Sequence, residues 1–144
     1  QNGLRSAVNE KGQMYIESVL SGGSLRHNRI KVATKDGSFA ESLPITTDGL
    51  NYRFSTLDAT YEIVRFSGND DNGVAKFIYT FKDEPITLSF IGSRTTTLTL
   101  PENAKKAIAQ SFELSTLLLD IEKLNYEKGR SEALINYLES RKKN

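Results

Sequence analysis

Residues 66–81 read FSGNDDNGVAKFIYTF, and two different folds follow from two readings of the second half. By composition VAKFIYTF looks like a strand. Alternation would then place Val74 and Ile78 on one face and Phe77 and Phe81 on the other. At a period of 3.6, however, Val74, Phe77, Ile78 and Phe81 fall at i, i+3, i+4 and i+7, one narrow stripe, with Lys76, Tyr79 and Thr80 opposite. The aromatic and β-branched content costs a helix only about 0.5 kcal/mol per residue. The pattern therefore predicts a short helix near residues 72–82, and the chain is not continuous sheet there.

The polar first half of the stretch is the most ligand-like feature of the chain. A calcium-binding EF-hand needs oxygen ligands at loop positions one, three and five, glycine at six and a bidentate glutamate at twelve. With Gly73 at six, Asp70 and Asn72 take three and five, but Gly68 stands at one and Tyr79 at twelve. Both anchoring ligands are missing. Asp70, Asp71 or Asn72 instead suits the cap of a helix beginning near Val74, where a side-chain oxygen accepts an orphan N–H. Asp70 and Asp71 are kept only as weak candidates for an irregular cation site.

Outward from this point the chain reads as strands. Residues 1–12 lack periodicity and form an irregular arm or a short edge strand. Met14–Leu20 is rich in strand formers and is broken by SGGS. In residues 29–42, RIKVATKDGSFAES, Ile30 and Val32 alternate with Lys31 and Ala33 before Asp36-Gly37, which predicts a hairpin with a type I′ turn. Phe39, Glu41, Leu43 and Ile45 continue it, with Pro44 marking an edge or an end. Tyr52–Ser55 is a short strand, with Tyr52 and Phe54 on one face. Thr60–Phe66 carries apolar residues on both faces, as a central strand does. Ile86–Ile91 and the threonine-rich strand ending at Leu100 form a second hairpin, with a type II′ turn at Gly92-Ser93.

Pro101 opens the longest helix, since its missing N–H has no partner in a first turn. Apolar residues from Ala107 to Leu124 cover more than half of its cylinder, and Lys105, Glu113, Asp120 and Lys123 mark the wet face. Such a wide arc needs two partners. One is the sheet; the other is a last short helix, Ser131–Arg141, capped by Ser131 after Gly129, or another subunit.

The totals bound the function. At 144 residues the chain is one domain with a sizeable core, 1–144, without repeat or linker. Nineteen basic against 18 acidic side chains leave a net charge of +1, too little to gather nucleic acid or anionic lipid. The cations at Arg141–Lys143 read as complements of a helix terminus. No cysteine is present, which excludes disulfides, thiolate metal sites and a cysteine nucleophile. No run reaches the roughly 18 apolar residues of a membrane span. The sequence opens on Gln1, not methionine, and its strands are rich in Ser, Thr and Asn. An exported protein, periplasmic or secreted, is the expectation, although a trimmed tag or an excised domain accounts for that start equally.

His27 is the only histidine, so any serine–histidine–acid arrangement must use it. Ser21 and Ser24 lie nearby in SGGSLRH, but no G-x-S-x-G elbow accompanies them, and no phosphate-loop motif surrounds the glycines. Flanked by Arg26 and Arg29, His27 reads as a surface residue. Glu62, Asp58, Asp83 and Glu84 are carboxylates for acid–base work on sugars, but nothing in the sequence brings two together. Glu62 lies within a strand. Burial would raise its pKa, and a salt bridge would involve Arg65 or Arg53. Tyr52, Tyr61 and Tyr79, with Tyr15, form either a ligand-binding face on the sheet, where tyrosine supplies contact area and a polar tip, or the rim of an ordinary core.

The fold expected is α+β. A mostly antiparallel sheet of about six or seven strands carries a long C-terminal helix and a short last helix on one face, with a small helix near 72–82. The function expected is a non-catalytic binding or structural module of an exported protein, with a protein or carbohydrate ligand and no cofactor. Self-association through the helices is compatible with the wide apolar arc. The alternative is a small carboxylate-dependent hydrolase acting on glycans. An apolar pocket holding two nearby acids would favour the enzyme; a flat tyrosine-rich face would favour binding.

Overall fold

The computed structural model describes residues 2–22, 25–46, 50–57 and 59–128. It is an α+β fold, and among the described residues the strands number eight, in two antiparallel four-stranded sheets, where six or seven in one sheet were expected. The first sheet has the order β1 (Gly3–Val8), β2 (Met14–Ser21), β6 (Thr60–Ser67), β5 (Asn51–Ser55). The second has the order β4 (Phe39–Glu41), β3 (Arg29–Ala33), β7 (Thr87–Ile91), β8 (Thr95–Thr99). Of the two readings of the N-terminal segment, the edge strand is the one formed. Asn9 closes its hairpin by accepting the N–H groups of Lys11 and Gln13.

A second sheet exists because the two hairpins predicted on either side of the short helix pair with each other. Arg29 stands opposite Ile91, and Val32 opposite Leu88. That pairing joins segments about 60 residues apart, so local alternation carries no trace of it.

Both turns differ from the types expected. At Asp36-Gly37 only the glycine has positive φ, at 94°. Asp36 accepts from the Thr34 hydroxyl and the Ser38 N–H, while the Gly37 N–H bonds to the Thr34 carbonyl. The aspartate builds a three-residue loop with glycine in the left-handed position, not a two-residue type I′ turn. Gly92 does not have the positive φ of a type II′ turn. It is required for close approach: a Cβ there would lie 2.3 Å from the Leu25 carbonyl oxygen.

Helix α1, Val74–Thr80, forms where the 3.6 period placed it and buries Val74, Ala75, Phe77 and Ile78. Helix α2, Glu102–Lys128, follows Pro101. One core unites the layers: Ile16, Leu20, Val64 and Phe66 from the first sheet meet Ile30, Val32, Leu88 and Phe90 from the second. Burial of each such side chain contributes about 1.5–3 kcal/mol. α2 closes this core with Ile108 and Phe112, and Ser111 bonds Ser6 across to β1 at 2.8 Å.

Lys105 departs from its expected wet face. It is 2% exposed, and its ammonium donates to the Glu84 carbonyl at 2.7 Å and pairs with Glu102 at 2.8 Å. A long flexible stem lets a lysine bury its methylenes while its charge finds oxygen partners. α1 is a second partner for the apolar arc of α2, with Tyr79 against Phe112. Leu114 and Leu119 remain about half exposed. The expected last helix at 131–141, with Gly129, Ser131 and the Arg141–Lys143 run, lies outside the described residues.

Candidate functional site

Strand register divides the first sheet into two faces. Ile16, Ser18 and Leu20 of β2, with Glu62, Val64 and Phe66 of β6, face the core. On the opposite face Tyr15, Glu17 and Val19 lie beside Arg65, Ile63 and Tyr61, and beyond them Tyr52 and Phe54 of β5. Both helices and the second sheet pack on the core side, so this outer face is left uncovered by them.

The outer face is aromatic with a charged centre. Phe54 and Tyr61 stack at 5.0 Å with 19° between their planes. Tyr52 and Phe54 are 39% and 44% exposed. The Arg65 guanidinium sits 4.1 Å over the Tyr15 ring and donates to Glu17 at 2.8 Å, while Arg5 reaches the other Glu17 oxygen at 2.7 Å. Burial would push the Glu17 carboxyl up; hydrogen bonds from Arg65 and Arg5 outweigh it and hold the carboxyl below its ordinary range. Two arginines against one glutamate leave this face with an excess positive charge.

The structure thus brings Tyr52, Tyr61 and Tyr15 to one face. Tyr79 is elsewhere, on α1, with Lys82 4.7 Å above its ring. Phe54 completes the face and was not singled out in the sequence, although its alternation with Tyr52 was visible.

His27 is the largest correction. It is fully buried, not a surface residue. Its Nδ1 lies 2.7 Å from Glu62 Oε1, and its Nε2 lies 2.7 Å from the Ser18 hydroxyl. The Glu62 carboxylate also accepts the N–H groups of His27 and Arg26, both at 2.9 Å. The His27 ring meets Phe90 of the second sheet edge-on at 5.3 Å. Glu62 therefore pairs with His27, not with Arg53 or Arg65. Burial alone would raise its pKa, but the hydrogen bonds from the His27 ring, the His27 N–H and the Arg26 N–H prevail and lower it. Burial also lowers His27, against the pull of Glu62. Because a carboxylate only accepts, Nδ1 is the donor to Glu62, and a neutral ring then accepts the Ser18 proton at Nε2.

Serine, histidine and acid are connected here as in a hydrolytic triad. Ser18 and His27 are 0% exposed and Glu62 is 1% exposed, so no substrate carbonyl reaches the hydroxyl. The group is a polar clamp that ties the crossover at residues 25–28 to the first sheet. Ser21 instead bonds Asn2, and Ser24 lies outside the described residues. The missed signal was in the alternation: Ser18 and Glu62 occupy apolar-face positions of their strands.

The N-cap position of α1 is Gly73, not Asp70, Asp71 or Asn72, and it has no side chain to accept a bond; Asp71, two residues earlier, supplies the acceptor instead, taking the Ala75 N–H at 3.0 Å. Burial raises its pKa despite those backbone donors. The Asp70 carbonyl accepts the Leu43 N–H. Among the described residues no three His, Asp or Glu side chains gather in a group able to hold a metal. Asp71 borders a cleft of about 680 Å³ with Gln13, Met14, Lys76 and Phe112 between the β1–β2 turn, α1 and α2. A second groove of about 480 Å³ carries Asp83, Glu102 and Glu113. Glu102 and Glu113 are eleven residues apart on one helix, roughly 16 Å at its rise per residue, beyond the separation of a glycosidase pair. Glu84 is exposed on the turn before Ile86, and Asp58 lies outside the described residues.

No family model matches this chain, and no curated protein or solved structure is significantly similar to it. Its chemistry rests on the geometry above. No helix among the described residues is long and apolar enough to cross a membrane.

Proposed function

We propose that this chain is a non-catalytic binding module that holds a protein or carbohydrate ligand on the outer face of its first sheet. The observation that carries the reading is the placement of Tyr52, Phe54 and Tyr61 together, and of Tyr15 farther along, on one sheet face that the helices leave open. Aromatic rings supply contact area at low entropic cost and stack on sugar rings or apolar side chains. The Arg5–Glu17–Arg65 group beside them supplies charged hydrogen-bond donors held in place by ion pairing.

The test is a panel of polysaccharides and peptides titrated against the wild-type protein and the double variant Tyr52→Ala, Phe54→Ala. Any ligand found on the wild type is expected to lose most of its affinity on the variant, which stays folded apart from the modest stability lost with the Phe54–Tyr61 stack. Binding that survives the double variant but disappears on Lys76→Ala and Gln13→Ala would move the site to the cleft and overturn the reading.

A further inference from the structure

The β5 strand is the edge of the first sheet, paired only with β6 among the described residues. Hydrogen bonds at its two ends set the phase of that pairing. Arg65 donates to the Leu50 carbonyl at 2.7 Å, and Thr56 donates to the Ala59 carbonyl at 2.8 Å. In an antiparallel ladder the bonded positions recur every second residue. Tyr52 and Phe54 therefore turn their amide groups toward β6, and Arg53 and Ser55 turn theirs toward the open side.

Native sheets guard such an edge with charge, proline or a covering element. Here four of the five residues of β5 are exposed, as is Leu57 in the turn that follows. Tyr52, Phe54 and Leu57 make this segment one of the most apolar parts of the surface. Its single charge is Arg53, which has no ion-pair partner among the described residues. Glu62 stands opposite it in register but is committed to His27.

We infer that the open edge of β5 is a strand-addition site for an extended acidic peptide. This rests on the binding-module reading and names a partner class for it. A strand laid along β5 exchanges backbone hydrogen bonds with Arg53 and Ser55. Its residue opposite Arg53 meets an unpaired guanidinium, which selects a carboxylate. Residues flanking that position lie beside Tyr52 and Phe54 on the outer face, which selects apolar side chains. The partner sequence thus alternates acid and apolar residues. The excess positive charge around Glu17 favours the same partner. A second copy of this chain is the weaker occupant, because its most symmetric register would set Arg53 against Arg53.

The probe is a peptide of alternating valine and glutamate, compared with one of alternating valine and lysine. Amide hydrogen exchange is read residue by residue in the folded protein. The acidic peptide is expected to slow exchange at Arg53 and Ser55 by about tenfold or more, and the basic peptide is not. Arg53→Glu should reverse that preference. Acidic-peptide binding that shifts Tyr52 and Phe54 resonances yet leaves the two amides unprotected overturns strand addition while the sheet-face reading stands. Absence of saturable binding by the acidic peptide overturns it as well. Protection of the two amides that rises with protein concentration, without peptide, assigns the edge to self-association instead.

Discussion

The His27 Nδ1 lies 2.7 Å from Glu62 Oε1 in the core, joining residues 35 positions apart. The contact holds the two sheets at a common crossover. Removing Glu62 leaves an imidazole N–H and two backbone N–H groups without an acceptor. With three buried donors left unsatisfied, Glu62→Ala is expected to cost about 3–5 kcal/mol, and Glu62→Gln about 1.5–3 kcal/mol because an acceptor oxygen survives. Urea unfolding of the two variants measures both; a loss below about 1 kcal/mol for Glu62→Ala would show that the clamp does not matter.

The pH dependence follows from the same pair. The depressed His27 pKa means that its contribution is complete above the ordinary value of 6.5 and is lost as pH falls through that value toward the folded one. Glu17 and Glu62 are also depressed, so their contribution is complete above 4.5 and is lost as pH falls through their folded values. Asp71 runs the other way: its raised pKa penalises the fold as pH rises above 3.8. Between about pH 8 and 5.5 the slope should belong to His27. His27→Gln is expected to be less stable throughout but flat across that window in urea melts. A slope retained in the variant contradicts this assignment.

Asp71 separates capping from cation binding. Asp71→Asn keeps the cap and removes a charge that burial disfavours, so stability at neutral pH should stay level or rise. Asp71→Ala should lose about 1 kcal/mol. Added calcium should leave the melting temperature of the wild type unchanged, and a calcium-dependent rise that vanishes in Asp71→Asn would restore the metal reading.

Gly92 and Gly37 test two different demands on glycine. At Gly92 an added methyl meets the Leu25 carbonyl oxygen at 2.3 Å and the Arg26 backbone at 2.7 Å. Gly92→Ala should cost more than about 3 kcal/mol, since backbone must move. Gly37 has open space around it and a φ of 94°, so Gly37→Ala should cost about 1 kcal/mol from strain alone. Thermal unfolding ranks the two; equal losses would mean that the Gly92 approach relaxes freely.

The Phe54–Tyr61 stack predicts a measurable coupling. A double-mutant cycle to alanine should give about 0.5–1.5 kcal/mol between them. Zero coupling would mean that the two rings do not hold one another in solution.

What the sequence determined by itself is whatever depends on neighbours a few residues apart. The stripe Val74, Phe77, Ile78 and Phe81 specified α1 because a helix repeats every 3.6 residues. The missing ligands at Gly68 and Tyr79 ruled out an EF-hand, and alternation placed Tyr52 and Phe54 together. Only tertiary structure decided that the hairpins on either side of α1 join as a second sheet, that Lys105 is buried, and that the lone histidine is a core residue. Those outcomes depend on partners distant in the chain. Arg26 and Arg29 make the neighbourhood of His27 look wet, while the acceptor that makes its burial tolerable stands on β6. Burial of a polar ring is settled by whether hydrogen-bond partners meet it in space, and spacing along the chain holds no record of that meeting.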